Sequence, residues 1–200
     1  MKKIRTGILS GSFNPIHIGH LALANYLLEF EGLDEIWFVV TPHNPLKQKE
    51  SLLDDAQRLH MVELAIQDCP RFRACDIEFG LPQPSYTIRT LEALSERYPE
   101  REFQLIIGAD NWLIFHKWAE YEKIKNNYPI LVYPRRGHVV YIDPEYKRIR
   151  SVNAPLIEIS STFIRDALMR GKNMRFFVSS KVYEYIKEHR LYQQLPANAL

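Results

Sequence analysis

Cysteine is scarce. The 200-residue chain carries only Cys69 and Cys75, too few for a disulfide framework and wrongly spaced for a zinc ribbon, so two reduced thiols in a reducing compartment are expected. Net charge is nearly absent, +2 at pH 7 from 26 basic and 24 acidic residues. No basic tract concentrates it, so neither a nucleic acid nor a membrane surface is an expected partner. The short apolar stretch after Lys2-Lys3 runs at once into glycine and serine, unlike the core of a leader peptide or a membrane span. A cytoplasmic protein is the expectation. No repeat, low-complexity tract or Gly/Ser linker divides the chain, which argues for a single domain over residues 1–194 and a loose tail over 195–200. A homo-oligomer is compatible with all of this.

What is present is an ordinary globular composition, 46% hydrophobic and 25% charged, enough to bury a core without staples. Ile4–Leu9 reads as a strand, Ile18–Phe30 as a helix and Glu35–Val40 as a second strand, a β-α-β opening. Leu52–Gln67 and Tyr86–Arg97 have helical spacing, Phe103–Ile107 is a buried strand closed by Gly108, and Ile130–Tyr133 is a further short strand. Ile157–Ile159 leads into Ser160-Ser161-Thr162 and a helix through Met169 ended by Gly171, and Ser179–His189 is a last amphipathic helix. The alternation predicts an α/β fold, a Rossmann-like doubly wound parallel sheet with helices on both faces. Its ligands should lie at the carboxyl ends of the strands.

Directly after the first strand stands Ser10-Gly11-Ser12-Phe13-Asn14-Pro15-Ile16-His17-Ile18-Gly19-His20. Gly11 and Ser12 let the backbone approach a phosphate, Pro15 suits a helix entry, and the free N–H groups of a helix start attract anions. His17 and His20, three positions apart, share a face once the helix has begun and can both donate to phosphate oxygens. Gly19 between them leaves room for a flat base or ribose. A helix cap with two surface histidines, or a metal pair, are the plainer alternatives; no carboxylate or cysteine follows at zinc-ligand spacing, so no protein metal ligand is assigned. A second anion site is legible at Ile159-Ser160-Ser161-Thr162, where hydroxyls and backbone donors open a helix with Arg165 one turn inside.

The first string resembles the His-x-Gly-His signature of the nucleotidylyltransferase superfamily, and Ile159–Arg165 resembles its Ile-Ser-Ser-Thr-x-Ile-Arg segment. Class I aminoacyl-tRNA synthetases share the first signature but are much longer. Within the superfamily, Pro84-Ser85-Tyr86-Thr87-Ile88-Arg89-Thr90-Leu91 is similar to the Pro-Ser-Tyr-Thr-x-Asp-Thr-Leu segment of bacterial nicotinate-nucleotide adenylyltransferases, with Arg89 in place of the usual acid. Gly108-Ala109-Asp110 with Trp118 downstream resembles that family's Gly-x-Asp segment, and Pro42–Lys47 is a looser match to its Pro-Pro-His-Lys loop.

The resemblance implies transfer of the adenylyl group of ATP to nicotinate mononucleotide, with Mg²⁺ carried on the ATP phosphates. It implies His17, His20, Lys47 and Arg165 as catalytic groups. ATP would be bound by Gly11, Ser12, Phe13, Gly19, Gly108, Asp110, Ile159, Ser160, Ser161 and Thr162, and the mononucleotide by Asn14, His43, Thr87, Trp118 and Arg135. Trp118 would stack on the pyridine ring, and Thr87 with nearby backbone donors would meet the ring carboxylate. Pantetheine-phosphate adenylyltransferase shares both phosphate motifs and is the nearest alternative. A nucleotide sensor that binds without turnover is the alternative of another class.

Overall fold

The apolar runs of this chain are strands covered on both faces, where every residue is buried regardless of which way it points. Ile36–Val40 in the second strand are all buried. Successive residues alternate between two cores, as the period of a strand requires. Leu9, Phe38 and Ile106 face one cluster; Ile8, Trp37 and Ile107 face the other.

The computed structural model describes residues 2–42 and 52–193. Its sheet has six parallel strands, β1 Ile4–Gly11, β2 Glu35–Val40, β3 Phe72–Cys75, β4 Arg101–Gly108, β5 Ile130–Tyr133 and β6 Ile149–Ser151, in the spatial order β3-β2-β1-β4-β5-β6. The chain runs outward in one direction from β1 and then resumes at β4 on its other side. That reversal opens a crevice beyond the carboxyl ends of β1 and β4. Helices α1 Ile18–Phe30, α2 Asp55–Ile66, α6 Ser161–Met169 and α7 Ser180–Glu188 contribute Leu27, Met61, Ile164 and Val182 to the first cluster. Helices α3 Thr87–Arg97 and α5 Tyr121–Asn127 contribute Leu91, Leu94 and Ile124 to the second; α4 Ala109–Leu113 is a short turn after β4. The doubly wound expectation is met.

Several boundaries differ from those read in the sequence, each for a local reason. Helix α2 starts at Asp55, not Leu52, because the Asp54 carboxylate accepts the Ala56 N–H at 2.9 Å and caps it there. Tyr86 is the extended residue before α3, so Thr87 is its first helical residue. Residues 152–160, including Ile157–Ile159, form no regular element, and the strand that precedes α6 is β6. Strands β3 and β6 lie at the two sheet edges and escape the hydrophobic pattern because Arg73 and Arg150 sit within them. Cys69 and Cys75 are free thiols. No helix among the described residues is long and apolar enough to cross a membrane. The expected tail falls outside the described residues.

Candidate active site

The loop after β1 enters α1 through His17, which has an extended backbone and serves as the residue before the first helical turn. The imidazoles of His17 and His20 stack, with centroids 3.7 Å apart and planes inclined by 22°. Phe13 packs edge-on to the other side of His20 at 5.1 Å. The His17 backbone N–H donates to His20 Nδ1 at 3.3 Å. That bond makes Nδ1 an acceptor, so the proton of a neutral His20 ring sits on Nε2, where it can be donated to a ligand. Gly19 permits the stack: a Cβ there would lie 3.0 Å from His17 Nδ1, tighter than the ring could tolerate unmoved.

His17 is 5% exposed. Burial, with a smaller push from the Arg135 charge, lowers its pKa from the ordinary 6.5 to about 4. The ring is therefore neutral at physiological pH, and among the described residues its Nδ1 has no close hydrogen-bond partner, although the His20 backbone N–H turns toward the ring as in a capping box. A polyanion arriving beside it would reverse the sign of its surroundings.

The two segments expected to bind anions are bonded to each other. Ser161 Oγ donates to the Pro15 carbonyl at 2.9 Å, and Arg165 Nη1 donates to the Asn14 carbonyl at 2.9 Å. Ser160 caps α6 by accepting the Phe163 N–H at 3.1 Å, and Thr162 Oγ1 accepts from Arg165 Nη2 at 3.3 Å. Helices α1 and α6 thus direct their N-termini, with their partial positive charge, into one space. That space is a cleft of about 780 Å³, lined from these segments by Ser12, Asn14, His17, Gly19, His20, Ile159, Ser160, Ser161, Thr162 and Arg165. Asp110 after β4 and Arg135 after β5 complete it from the other side of the crevice. The volume suits a mononucleotide, since ligand sites run roughly 300–1,000 Å³.

The sequence profile of the cytidylyltransferase-like family matches residues 8–167, most of the chain. A protein of Bacteroides fragilis (strain YCH46) named "Probable nicotinate-nucleotide adenylyltransferase" is 59% identical over 186 residues, 93% of this chain and 92% of its own. A protein of Bacteroides thetaiotaomicron with the same name is 56% identical over 187 residues, 94% of this chain and 93% of its own. The chain belongs to the nicotinate-nucleotide adenylyltransferases of the cytidylyltransferase-like family. The nicotinic acid mononucleotide adenylyltransferase of Plasmodium falciparum, solved complexed with NaAD, has a TM-score of 0.76 over 94% of this chain and 97% of its own, at 20% identity. At that identity the likeness is one of fold.

Other residues expected of an adenylyltransferase lie around the cleft, not in it. Phe13, 2% exposed, belongs to the core behind the loop, and Gly11 sits against its ring. Gly108 lies behind two lining residues: a Cβ there would overlap Asp110 Oδ1 and come within 3.1 Å of Arg135 Nε. Thr87 and Trp118 belong with the helices on the opposite face of the sheet, where Ile88 and Trp118 pack on the second core cluster. His43 and Lys47 lie outside the described residues.

Arg135 donates from Nη2 to the Tyr133 hydroxyl at 2.9 Å, and its Nε stands 3.7 Å from Asp110 Oδ1. It thereby ties the ends of β4 and β5 together on the same side as the phosphate segments. Arg136 pairs with Glu158 at 2.9 Å, and both line the cleft with His138. In the sequence Arg136 reads as half of a basic pair with a solvated face as its plain alternative, and Glu158 and His138 have no diagnostic spacing to single them out.

It also missed Arg58. This side chain is 0% exposed. Its guanidinium donates to the carbonyls of Ser12 at 2.6 Å, Thr41 at 2.9 Å, Pro42 at 3.2 Å and Leu53 at 3.0 Å, and pairs with Asp55. The fixed fork of the guanidinium thus reaches four carbonyls and one carboxylate at once. One helix position thereby fastens the loop after β1 to the loop after β2.

Proposed function

We propose that the chain transfers the adenylyl group of ATP to nicotinate mononucleotide, giving nicotinate adenine dinucleotide and pyrophosphate, a step of NAD biosynthesis in the cytoplasm. The observation that carries this reading is the direct bonding of the His17–His20 loop to the Ser160–Arg165 segment around one cleft. The names of the close relatives support the choice of acceptor.

In this reaction an oxygen of the mononucleotide 5′-phosphate attacks the α-phosphorus of ATP. The bond from that phosphorus to the bridging oxygen breaks, and pyrophosphate carries away the electron pair. No enzyme nucleophile is required; catalysis comes from alignment and from neutralising charge on the spreading oxygens. His20 donates from Nε2 to the α-phosphate, whose charge rises in the transition state. His17 takes a β-phosphate oxygen, and its neutral ring becomes the better donor as the triphosphate raises its pKa. Arg165 and Lys47 take the outer phosphates, with the N-terminus of α6 beneath them. Thr87 and Trp118 receive the nicotinate ring, His43, Asn14 and Arg135 the rest of the mononucleotide, and Asp110 a ribose hydroxyl or a metal-bound water.

Mg²⁺ bound to the triphosphate supplies further charge neutralisation. Among the described residues no three His, Cys, Asp or Glu side chains stand together as a metal cluster. The ion would be carried by phosphate oxygens with water in its remaining sites, as Mg²⁺ prefers.

The test is to offer nicotinate mononucleotide, nicotinamide mononucleotide and phosphopantetheine in parallel with ATP and Mg²⁺, following pyrophosphate. Release is expected to be fastest with nicotinate mononucleotide. Preference for phosphopantetheine would overturn the acceptor, and ATP binding without any release would make the chain a sensor.

A further inference from the structure

The loop between β1 and α1 is held from behind by groups distant in sequence, one of which comes from near the opposite end of the chain. Tyr192, beyond α7, donates its hydroxyl to Asn14 Oδ1 at 2.7 Å across 178 positions. The same oxygen accepts a longer bond, 3.5 Å, from the Leu53 N–H. Asn14 is 1% exposed although it lines the cleft, and its own carbonyl is the acceptor of Arg165.

The chain is bent to make this contact. Arg190 and Tyr192 both have positive φ, 50° and 59°, a conformation non-glycine residues adopt at some cost and one that clusters at functional sites. Leu191 between them packs into the core cluster at 8% exposure and fixes where the tyrosine enters. Burial pushes the Tyr192 hydroxyl above its ordinary pKa, against the pull of Arg165 and Arg58, so it is protonated and a donor at physiological pH. Tyr192 belongs to neither expected phosphate motif, yet it bonds a residue of the loop that carries His17 and His20.

We propose that Tyr192 is a positioning residue for adenylyl transfer: through Asn14 it holds the loop after β1 in the register that presents His17 and His20 to the triphosphate. It touches neither substrate. This rests on the reaction proposed above.

The experiment is a double-mutant cycle on the full chain, measuring kcat and KM for ATP and for nicotinate mononucleotide in wild type, Tyr192→Phe, Asn14→Ala and the double variant. Tyr192→Phe keeps the ring and its packing. It is expected to lower kcat/KM about tenfold, the size of one buried hydrogen bond whose acceptor loses its donor, mostly through kcat. In the Asn14→Ala background the same change should cost less than about twofold, because the group it acts through is gone. A purely structural tyrosine would lower the thermal midpoint and leave the kinetic constants of the folded enzyme intact. Wild-type constants in Tyr192→Phe, or an undiminished loss in the Asn14→Ala background, would overturn the proposal. Should Tyr192→Phe not fold, Asn14→Ser serves alone, and near-wild-type kcat/KM in it overturns the proposal equally. Absence of turnover by wild type would instead remove the reaction itself.

Discussion

The lowered pKa of His17 makes the folded state sensitive to acid in a defined window. In the folded protein the imidazole stays neutral down to about 4, whereas in the unfolded chain it takes up a proton near 6.5. Between those values the unfolded state binds more protons, so stability is full above 6.5 and falls as pH drops toward 4. The difference of about 2.5 units, at about 1.4 kcal/mol each, puts the loss from this group at about 3 kcal/mol by pH 4. The burial of the ring and its unpartnered Nδ1 leave little water to soften it. Urea unfolding of wild type and His17→Asn at several pH values from 7 to 4 measures it. The carboxylates titrate in both proteins and cancel in the comparison, so the wild type should lose about 3 kcal/mol more than the variant. An identical pH dependence in the two would refute the reasoning. Adding ATP should move the His17 titration, followed by NMR of its ring protons, back toward 6.5.

His20→Ala should lower kcat by about 100-fold or more, as removal of a donor to transition-state charge does, with the fold intact by circular dichroism. Gly108→Ala should raise KM for ATP with little loss of stability, because the new Cβ displaces Asp110 and Arg135, which line the cleft. Trp118→Ala should raise KM for nicotinate mononucleotide and leave KM for ATP near wild type, since the tryptophan lies outside the cleft that holds the phosphate motifs. Arg58→Met should destabilise the fold by about 3 kcal/mol in urea, the cost of leaving several buried carbonyls without donors.

Helix α1 and strands β2 and β5 have the boundaries the sequence predicts residue for residue, because each is a largely apolar run ended by turn or polar residues. The two segments expected to bind phosphate stand out in the sequence for a different reason: small residues, a helix start and hydrogen-bond-donating side chains occur together at Ser10–His20 and again at Ile159–Arg165, and the structure brings both to one cleft. Edge strands β3 and β6 were not legible, since three- or four-residue segments carrying an arginine have no hydrophobic alternation to read. Nor was the side of the crevice on which Arg135 falls, which depends on how β4 and β5 end relative to one another. Arg58 and Tyr192 are the deeper case. An arginine within an amphipathic helix and a tyrosine near a chain end look like surface residues in one dimension; only the packing of distant segments buries them.

An arginine with no access to water cannot be added to a finished structure. The loop after β1, the strand end at Thr41–Pro42 and the first turn of α2 must come together around Arg58 in one cooperative event. Acquiring the native helix and acquiring the phosphate-binding shape are then the same transition. Mutations that loosen α2 far from any substrate should therefore lower ATP affinity and helix content together, and ATP should in turn protect that helix from hydrogen exchange.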